Sequence, residues 1–257
     1  MIGKIEKYYH EKIETEGAML FSLVDPDKFS FEKGAKLAKA CYENGADVIL
    51  VGGSIGAQGE VLDETIKQIK EAVSIPVVLF PGNISGISGK ADAIYFMQLL
   101  NSRDVYWLST AAIQGAPVIK RLGLEAIPTT YLIFEPGRLV GWIGNANLIP
   151  VDRPDIAAAC ALAARFSGSR VLISERGSGA PEPMPNAVVS ALDKACGDDV
   201  FLFDAGGVRT SEQATEIIKA GADGIQVGTA FEEGDVAEKT KKLRAAVKEA
   251  GKKRVKS

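Results

Sequence analysis

Histidine and cysteine are scarce in this chain of 257 residues, and their scarcity excludes several kinds of site. The single histidine, His10, lies in a charged segment near the start of the chain, where we expect a surface or packing role. No Ser-His-Asp or Cys-His arrangement can then be built. The three cysteines show no CxxC spacing, which argues against a disulfide framework or a zinc site and favours a reducing compartment.

The chain also lacks a long apolar run and a strong net charge. Its longest run of small apolar residues, at positions 156–164, is far shorter than the roughly 20 residues that a membrane-spanning helix needs. The first 17 residues carry charges throughout and lack the apolar core of a signal peptide. A formal net charge of −3 gives no general case for nucleic-acid binding. We therefore expect a soluble, cytoplasmic protein without a nucleic-acid partner.

Short apolar runs alternate with segments of helical spacing along the whole chain. The eight candidate strands are 18–24, 47–51, 76–80, 93–96, 125–134, 170–174, 200–203 and 224–227. No linker separates them, and a short helix at 2–15 precedes the first. This pattern predicts a single domain over 1–257 of the α/β class, a modified (β/α)8 TIM barrel with an extra N-terminal helix. A doubly wound open sheet is the alternative, but no GxGxxG follows the first strand.

Two segments interrupt the alternation. Residues 81–92 are rich in glycine and serine and have no helical period, so a loop is predicted to replace helix 3 of the barrel. Residues 135–150 form a second irregular excursion, which we interpret as a β-ribbon.

Glycine turns follow the last two predicted strands. Gly206 and Gly207 come after strand seven, and Gly228 and Thr229 come after strand eight, with Ser211 expected to cap the helix between them. A residue without Cβ lets backbone N–H groups approach an anion closely, and strands seven and eight carry the phosphate site of many barrels. The turns therefore indicate a phosphate site, with ordinary strand-to-helix turns as the alternative.

Polar residues end three other strands. Asp25 and Ser54, after strands one and two, offer hard oxygen ligands that suit Mg²⁺, although the residues alone favour a helix-capping or turn role for Asp25 before Pro26. Glu175 ends strand six beside the predicted phosphate site. It is either a general base for a substrate hydroxyl or a partner for Arg176.

Several short motifs, in the order in which they occur, resemble those of a known protein family. They are LVDPDK at 23–28, VGGS at 51–54, FPG at 80–82, FMQLLNS at 96–102, ERGSGAP at 175–181, DAGGVR at 204–209 and VGT at 227–229. Together they resemble geranylgeranylglyceryl phosphate synthase of archaeal lipid synthesis, over nearly the whole chain. Each motif would be weak alone.

The resemblance implies a Mg²⁺-dependent prenyltransferase that joins geranylgeranyl diphosphate to the 3-hydroxyl of sn-glycerol 1-phosphate as an ether. It implies metal ligation by Asp25 and Ser54 and a catalytic role for Glu175. The substrate-binding residues that it implies are Ile173, Ser174, Glu175, Arg176, Gly177, Ser178, Gly179, Gly206, Gly207, Gly228 and Thr229. The family usually has tyrosine at the position of Ile173, alanine at that of Arg176 and aspartate at that of Asn145, which leaves details of substrate contact open.

A prenyl tail needs an apolar groove. Ile84 and Ile87 in the predicted loop, with Tyr95, Tyr131 and Trp142, could line one, and core packing is the alternative for each aromatic. The resemblance also implies a homo-oligomer, a hexamer or a dimer, with a hexamer favoured by the long loops.

Other functions and contacts remain open at this stage. The stretch from position 239 holds nine lysines and arginines against one glutamate, which we interpret as a solvated helix end, with peripheral membrane contact as the alternative. The alternative functions are a phosphosugar isomerase or lyase on the same barrel, and a phosphometabolite-binding protein without catalysis.

Overall fold

The structure, a computed structural model, describes residues 2–53 and 55–255 as a closed barrel of eight parallel strands. Each strand pairs with the next, and β1 pairs with β8, which excludes the open sheet and confirms the predicted TIM barrel. The strands are β1 Met19–Val24, β2 Val48–Val51, β3 Val77–Leu79, β4 Ala93–Leu99, β5 Glu125–Ile133, β6 Val171–Glu175, β7 Phe201–Ala205 and β8 Gly224–Val227.

Helices lie around the barrel and at its two ends. They are α1 Lys4–Glu16, α2 Phe31–Glu43, α3 Gly59–Ala72, α4 Ala111–Leu122, α5 Arg138–Ile143, α6 Pro154–Phe166, α7 Asn186–Cys196, α8 Ser211–Ala220 and α9 Val236–Val255. Between β3 and β4 the chain forms only a short 3-10 turn, Ile84–Gly86. The predicted replacement of the helix that would follow β3 in a regular barrel by a loop is therefore confirmed. No helix among the described residues is long and apolar enough to cross a membrane.

Alternate residues of the strands divide the core into two layers, because successive side chains of a strand point to opposite faces. One layer fills the barrel and the other lies between the strands and the helices. The N-terminal helix α1 closes the bottom of the barrel with Tyr9, whose buried ring meets Phe21 and Phe203 edge-on at centroid distances of 5.6 and 5.8 Å. His10 packs on Phe201 at 4.6 Å, in the packing role expected for it.

The second excursion differs from its prediction. Residues 135–150 contain the short helix α5 and make only two isolated bridges, Ser102 with Ala146 and Phe134 with Ile149, so the β-ribbon was wrong. The helix forms because Gly137 and Gly141 leave room for Leu148, which a Cβ on either glycine would meet at 2.5 and 3.0 Å.

Two smaller predictions about helix ends are also corrected. Thr210 caps α8 rather than Ser211, because its hydroxyl accepts the Gln213 N–H while the Gln213 side chain returns to the Thr210 N–H. In α9, Lys248 is buried instead of solvated, and its Nζ lies 2.7 Å from Asp47 and 2.8 Å from Glu16. Membrane contact by the rest of this basic helix stays a prediction.

Candidate active site

Two adjoining cavities open at the carboxyl end of the barrel strands. The large cavity has a volume of about 410 Å³ and the small one about 50 Å³. Four residues line both and so form the wall between them, namely Leu23, Phe80, Glu175 and Ser178. Glu175 therefore borders both cavities.

The large cavity is mostly apolar. The loop after β3 contributes Ile84 and Ile87, as predicted for a groove, and β4, α4 and α5 contribute further apolar side chains. Tyr95 and Tyr131 line it, whereas Trp142 is 82% exposed and belongs to neither the cavity nor the core. Leu139, Val140 and Ile143 of α5 line the cavity, and Trp142 lies on another side of this short helix.

The small cavity lies over the glycine turns that follow β7 and β8. Seven of the residues that the resemblance assigns to substrate line it, namely Glu175, Ser178, Gly179, Gly206, Gly207, Gly228 and Thr229. The hydroxyls of Ser178 and Thr229 share a hydrogen bond of 2.8 Å, which joins the loops after β6 and β8. Gly206 and Gly207 have φ of +84° and +87°, values that side chains rarely allow.

Gly207 and Gly228 differ in how strictly the backbone at their positions requires glycine. A Cβ on Gly207 would lie 2.1 Å from the Glu182 carbonyl oxygen, in addition to its positive φ. Gly228 has φ of −123°, and its Cβ would meet Leu23 at an ordinary 3.4 Å. The turn after β7 therefore depends on glycine for its shape, and the turn after β8 does not.

This difference predicts the stability of two matched variants. Gly207→Ala should lower the free energy of unfolding by about 1–3 kcal/mol, because the residue must adopt a disfavoured φ and displace a backbone carbonyl. Gly228→Ala should lower it by under about 1 kcal/mol. Urea unfolding of both variants measures the difference, and equal losses would contradict it.

Glu175 ends β6 and faces into the barrel. Its Oε1 accepts the Gly177 N–H at 2.5 Å, and its Oε2 accepts the Tyr131 hydroxyl at 3.3 Å. Burial raises the pKa of Glu175 to about 7, against the opposing effect of these two hydrogen bonds. A carboxyl group that titrates near neutral pH, fixed at the wall between two cavities, is suited to take a proton from a bound hydroxyl.

Four residues that the resemblance assigned to substrate, Ile173, Ser174, Arg176 and Gly177, do not line either cavity. Ile173 faces into the barrel one layer below Glu175 and is buried in the core. Ser174 points outward, where its hydroxyl donates to Asp204 at 2.7 Å. Arg176 directs its guanidinium to the carbonyl oxygens of Glu135, Glu182 and Pro183, at 2.7 to 2.9 Å.

These positions bear on the two roles left open for Glu175. The guanidinium of Arg176 braces the loops after β5 and β6, while the Glu175 carboxylate accepts hydrogen bonds from Tyr131 and Gly177. The geometry thus favours Glu175 as a base over a partner for Arg176. Gly177 contributes its N–H to this carboxylate rather than to the small cavity.

Asp25 lies at the rim of the large cavity, together with Asp27 and Lys28. Its Oδ1 accepts the Asp27 N–H at 3.1 Å, so the predicted turn role is real and uses one of the two carboxylate oxygens. Burial raises the pKa of Asp25 above its ordinary value. Ser54, the second predicted metal ligand, lies outside the described residues. Within 2–53 and 55–255, no three His, Cys, Asp or Glu residues are grouped to hold a metal.

Two further residues at the site were missed. Tyr131 was considered only as a groove residue, yet it is the register partner of Ile173 on the neighbouring strand, from which it reaches Glu175. Gln226 faces into the barrel and lines the small cavity. Its signal in the sequence was a lone amide inside the apolar strand GIQV.

The chain is similar to known proteins over nearly its whole length. Residues 11–250 match the PcrB family. A geranylgeranylglyceryl phosphate synthase of Pyrococcus horikoshii is 48% identical over 247 residues, which are 96% of each chain. The Pyrococcus furiosus synthase is 50% identical over 243 residues, 94% of this chain and 96% of the relative. The crystal structure of (S)-3-O-geranylgeranylglyceryl phosphate synthase from Thermoplasma acidophilum with sn-glycerol 1-phosphate superposes with a TM-score of 0.91, at 35% identity, over 97% of this chain and 100% of that one.

Proposed function

The chain belongs to the PcrB family, and on that premise we propose that its two cavities hold the two substrates of a prenyl transfer. The enzyme joins the geranylgeranyl group of geranylgeranyl diphosphate to the 3-hydroxyl of sn-glycerol 1-phosphate, giving geranylgeranylglyceryl phosphate. The observation that carries the assignment of substrates to cavities is the position of Glu175, at the wall between a long apolar cavity and a small cavity lined by glycine.

The small cavity suits the phosphoglycerol substrate. Its glycine turns present backbone N–H groups, and the hydroxyls of Ser178 and Thr229 stand beside them. Such groups bind a phosphate monoester without a metal ion. The large cavity suits the prenyl tail, because Ile84, Ile87 and Val140 offer apolar surface and few competing hydrogen bonds.

The reaction forms one C–O bond and breaks another. The oxygen of the 3-hydroxyl attacks C1 of the prenyl group, and the diphosphate leaves with the electron pair of the C1–O bond. The hydroxyl proton passes to a carboxylate oxygen of Glu175, which lies between the two cavities. The Gly177 N–H and the Tyr131 hydroxyl hold this carboxylate in place and stabilise its ionised form.

We propose that Mg²⁺ assists the reaction at the end of β1. When bound, it neutralises charge that develops on the leaving diphosphate. Mg²⁺ in such sites uses one or two carboxylates together with substrate phosphates and water, so it needs no cluster of acids. Asp25 fits this requirement, because its carboxylate is half-buried at the rim of the cavity assigned to the prenyl diphosphate. Ser54 is proposed as the second ligand.

We also propose that the protein assembles into a homo-oligomer, with a hexamer favoured over a dimer. Several large apolar side chains are exposed on the outer helices, among them Ile113 at 70%, Trp142 at 82% and Phe166 at 81%. Exposed apolar surface of this kind is commonly covered by another protein chain.

One experiment tests the proposed function against its alternatives. The purified protein is incubated with radiolabelled geranylgeranyl diphosphate and sn-glycerol 1-phosphate, and the ether product is separated from both substrates. A prenyltransferase forms labelled product only when both substrates are present. An isomerase, a lyase or a binding protein would leave the label on the diphosphate.

The pKa of Glu175 predicts the pH dependence of the reaction. Because a base must be ionised and burial raises its pKa to about 7, kcat/KM should rise about tenfold per pH unit below pH 7 and level off above it. Tyr131→Phe removes a hydrogen bond that lowers this pKa, so the rising limb should move to higher pH.

The tyrosine variant also shows whether the pH dependence arises from the enzyme or from the substrate. The phosphate of the substrate titrates near pH 6, by analogy with other monoesters. A substitution at Tyr131 can shift the pH at which kcat/KM rises only if the titrating group belongs to the enzyme. If the pH profiles of wild type and Tyr131→Phe coincide, the limb does not report Glu175.

A further inference from the structure

Gln226 is a polar residue inside an otherwise apolar strand. Its neighbours in β8, Ile225 and Val227, point outward and pack against the helices. Gln226 points into the barrel, is 5% exposed and lines the small cavity. Neither the family motifs nor the mechanism above gives this amide a role.

Gln226 lies in the same layer of the barrel as Glu175. Strand register places Glu175 beside Ala205 of β7, and Ala205 beside Gln226 of β8. Neighbouring strands are about 4.8 Å apart, so the backbones of the two polar residues are within about 10 Å of each other. The side chain between them is only a methyl group, so both can reach one small ligand above Ala205.

The two ends of the Gln226 amide have different surroundings. Its Nε2 donates to the Tyr95 hydroxyl at 3.2 Å, which anchors the side chain. Its Oε1 is buried and accepts no hydrogen bond from the described part of the chain. Buried amide oxygens are almost always paired, so this oxygen calls for an O–H or N–H donor.

We propose that Gln226 binds the 2-hydroxyl of the phosphoglycerol substrate through Oε1, an inference that rests on the proposed function. The substrate offers three groups around its chiral carbon. The phosphate is assigned to the glycine turns, the 3-hydroxyl to Glu175, and the 2-hydroxyl is left for the remaining polar group in the same layer. Three contacts from different sides distinguish one enantiomer from the other, so Gln226 helps the enzyme to select sn-glycerol 1-phosphate.

The test compares two acceptors that differ only in this hydroxyl. The analogue 3-hydroxypropyl phosphate keeps the phosphate and the reactive hydroxyl but lacks the 2-hydroxyl. Binding of both acceptors is measured by calorimetry, and kcat/KM by prenyl transfer, for wild type, Gln226→Met and Tyr95→Phe. Methionine keeps the length of glutamine without its polar atoms. The tyrosine variant removes the hydroxyl that anchors the amide but keeps Gln226 itself, so it separates loss of the anchor from loss of the contact.

Wild type should favour sn-glycerol 1-phosphate over the analogue by about 10- to 100-fold, the range for one buried hydrogen bond. Gln226→Met should lower this ratio to within about threefold of one, and Tyr95→Phe, which keeps Oε1 but loses its anchor, should give a ratio between those of wild type and Gln226→Met. A wild-type enzyme that uses both acceptors equally well would overturn the proposal, even if Gln226→Met fails to fold. So would a Gln226→Met enzyme that keeps the wild-type ratio.

Failure of the proposed function gives a different result. Wild type would then transfer no prenyl group to either acceptor, whereas calorimetry would still report the preference between them. A second comparison uses sn-glycerol 3-phosphate, the other enantiomer, as acceptor. The preference of the enzyme for sn-glycerol 1-phosphate over this enantiomer should be smaller in Gln226→Met than in wild type, because the contact with the 2-hydroxyl is lost.

Discussion

Replacing Glu175 with glutamine is expected to lower kcat for prenyl transfer about 10²–10⁴-fold while both substrates still bind. Glutamine keeps the shape of the side chain and an oxygen that can accept the Gly177 N–H, so the loop after β6 should hold its conformation. It cannot accept the proton of the attacking hydroxyl. The loss should therefore appear in kcat, measured with labelled prenyl diphosphate, and little in the affinity for either substrate.

Glu182→Gln is the matched control, because Glu182 is an exposed glutamate on the same loop. It should turn over at a rate close to that of wild type. Near-normal turnover in Glu175→Gln would remove Glu175 from the role of base. A large loss of substrate affinity in that variant would instead indicate that the carboxylate mainly binds substrate.

Replacing Asp25 with asparagine is expected to abolish turnover and to reproduce the effect of a chelator. Asp25 lines the large cavity, whereas the glycine turns assigned to the phosphoglycerol substrate line the small one. A diphosphate carries enough charge to need a divalent cation, and a monoester can be held by N–H groups. Affinity for sn-glycerol 1-phosphate should therefore stay within a few-fold of wild type, under about 1.4 kcal/mol.

The measurement is calorimetric titration of each substrate into wild type and Asp25→Asn, with and without a chelator. Asp152→Asn, at an exposed aspartate in the turn before α6, controls for the change of charge. If affinity for sn-glycerol 1-phosphate collapses when Mg²⁺ is removed, the metal belongs to the phosphoglycerol end and the assignment of the two cavities is wrong.

The barrel could be predicted because its strands are buried on both faces and so read as continuous apolar runs separated by polar turns. The loop after β3 could be predicted for a related reason, since residues 81–92 lack any helical period. The helix α5 could not. It has six residues and includes Gly141, and it forms because Leu148 packs against it from outside the helix.

In the candidate site, short motifs could likewise be predicted from the sequence, whereas contacts between residues on different strands could not. Glu175 and the glycine turns each lie at the end of a predicted strand, and the structure brings them together around the small cavity. The contact between Tyr131 and Glu175 depends on the register of β5 against β6, which sequence does not specify. If Glu175 faces into the barrel, strand alternation turns the Ser174 side chain outward, where its hydroxyl donates to Asp204.

Closure of the barrel by β1 and β8 also sets when the enzyme can first work. The two strands are separated by about 200 residues, so the ribosome synthesises β8 roughly 10–40 s after β1. Asp25 follows β1 and Gly228 follows β8, and Lys248 of α9 binds Asp47 at the base of the barrel. A nascent chain therefore carries most of its hydrophobic core before it carries an active site, and its exposed edge strands need protection during that interval.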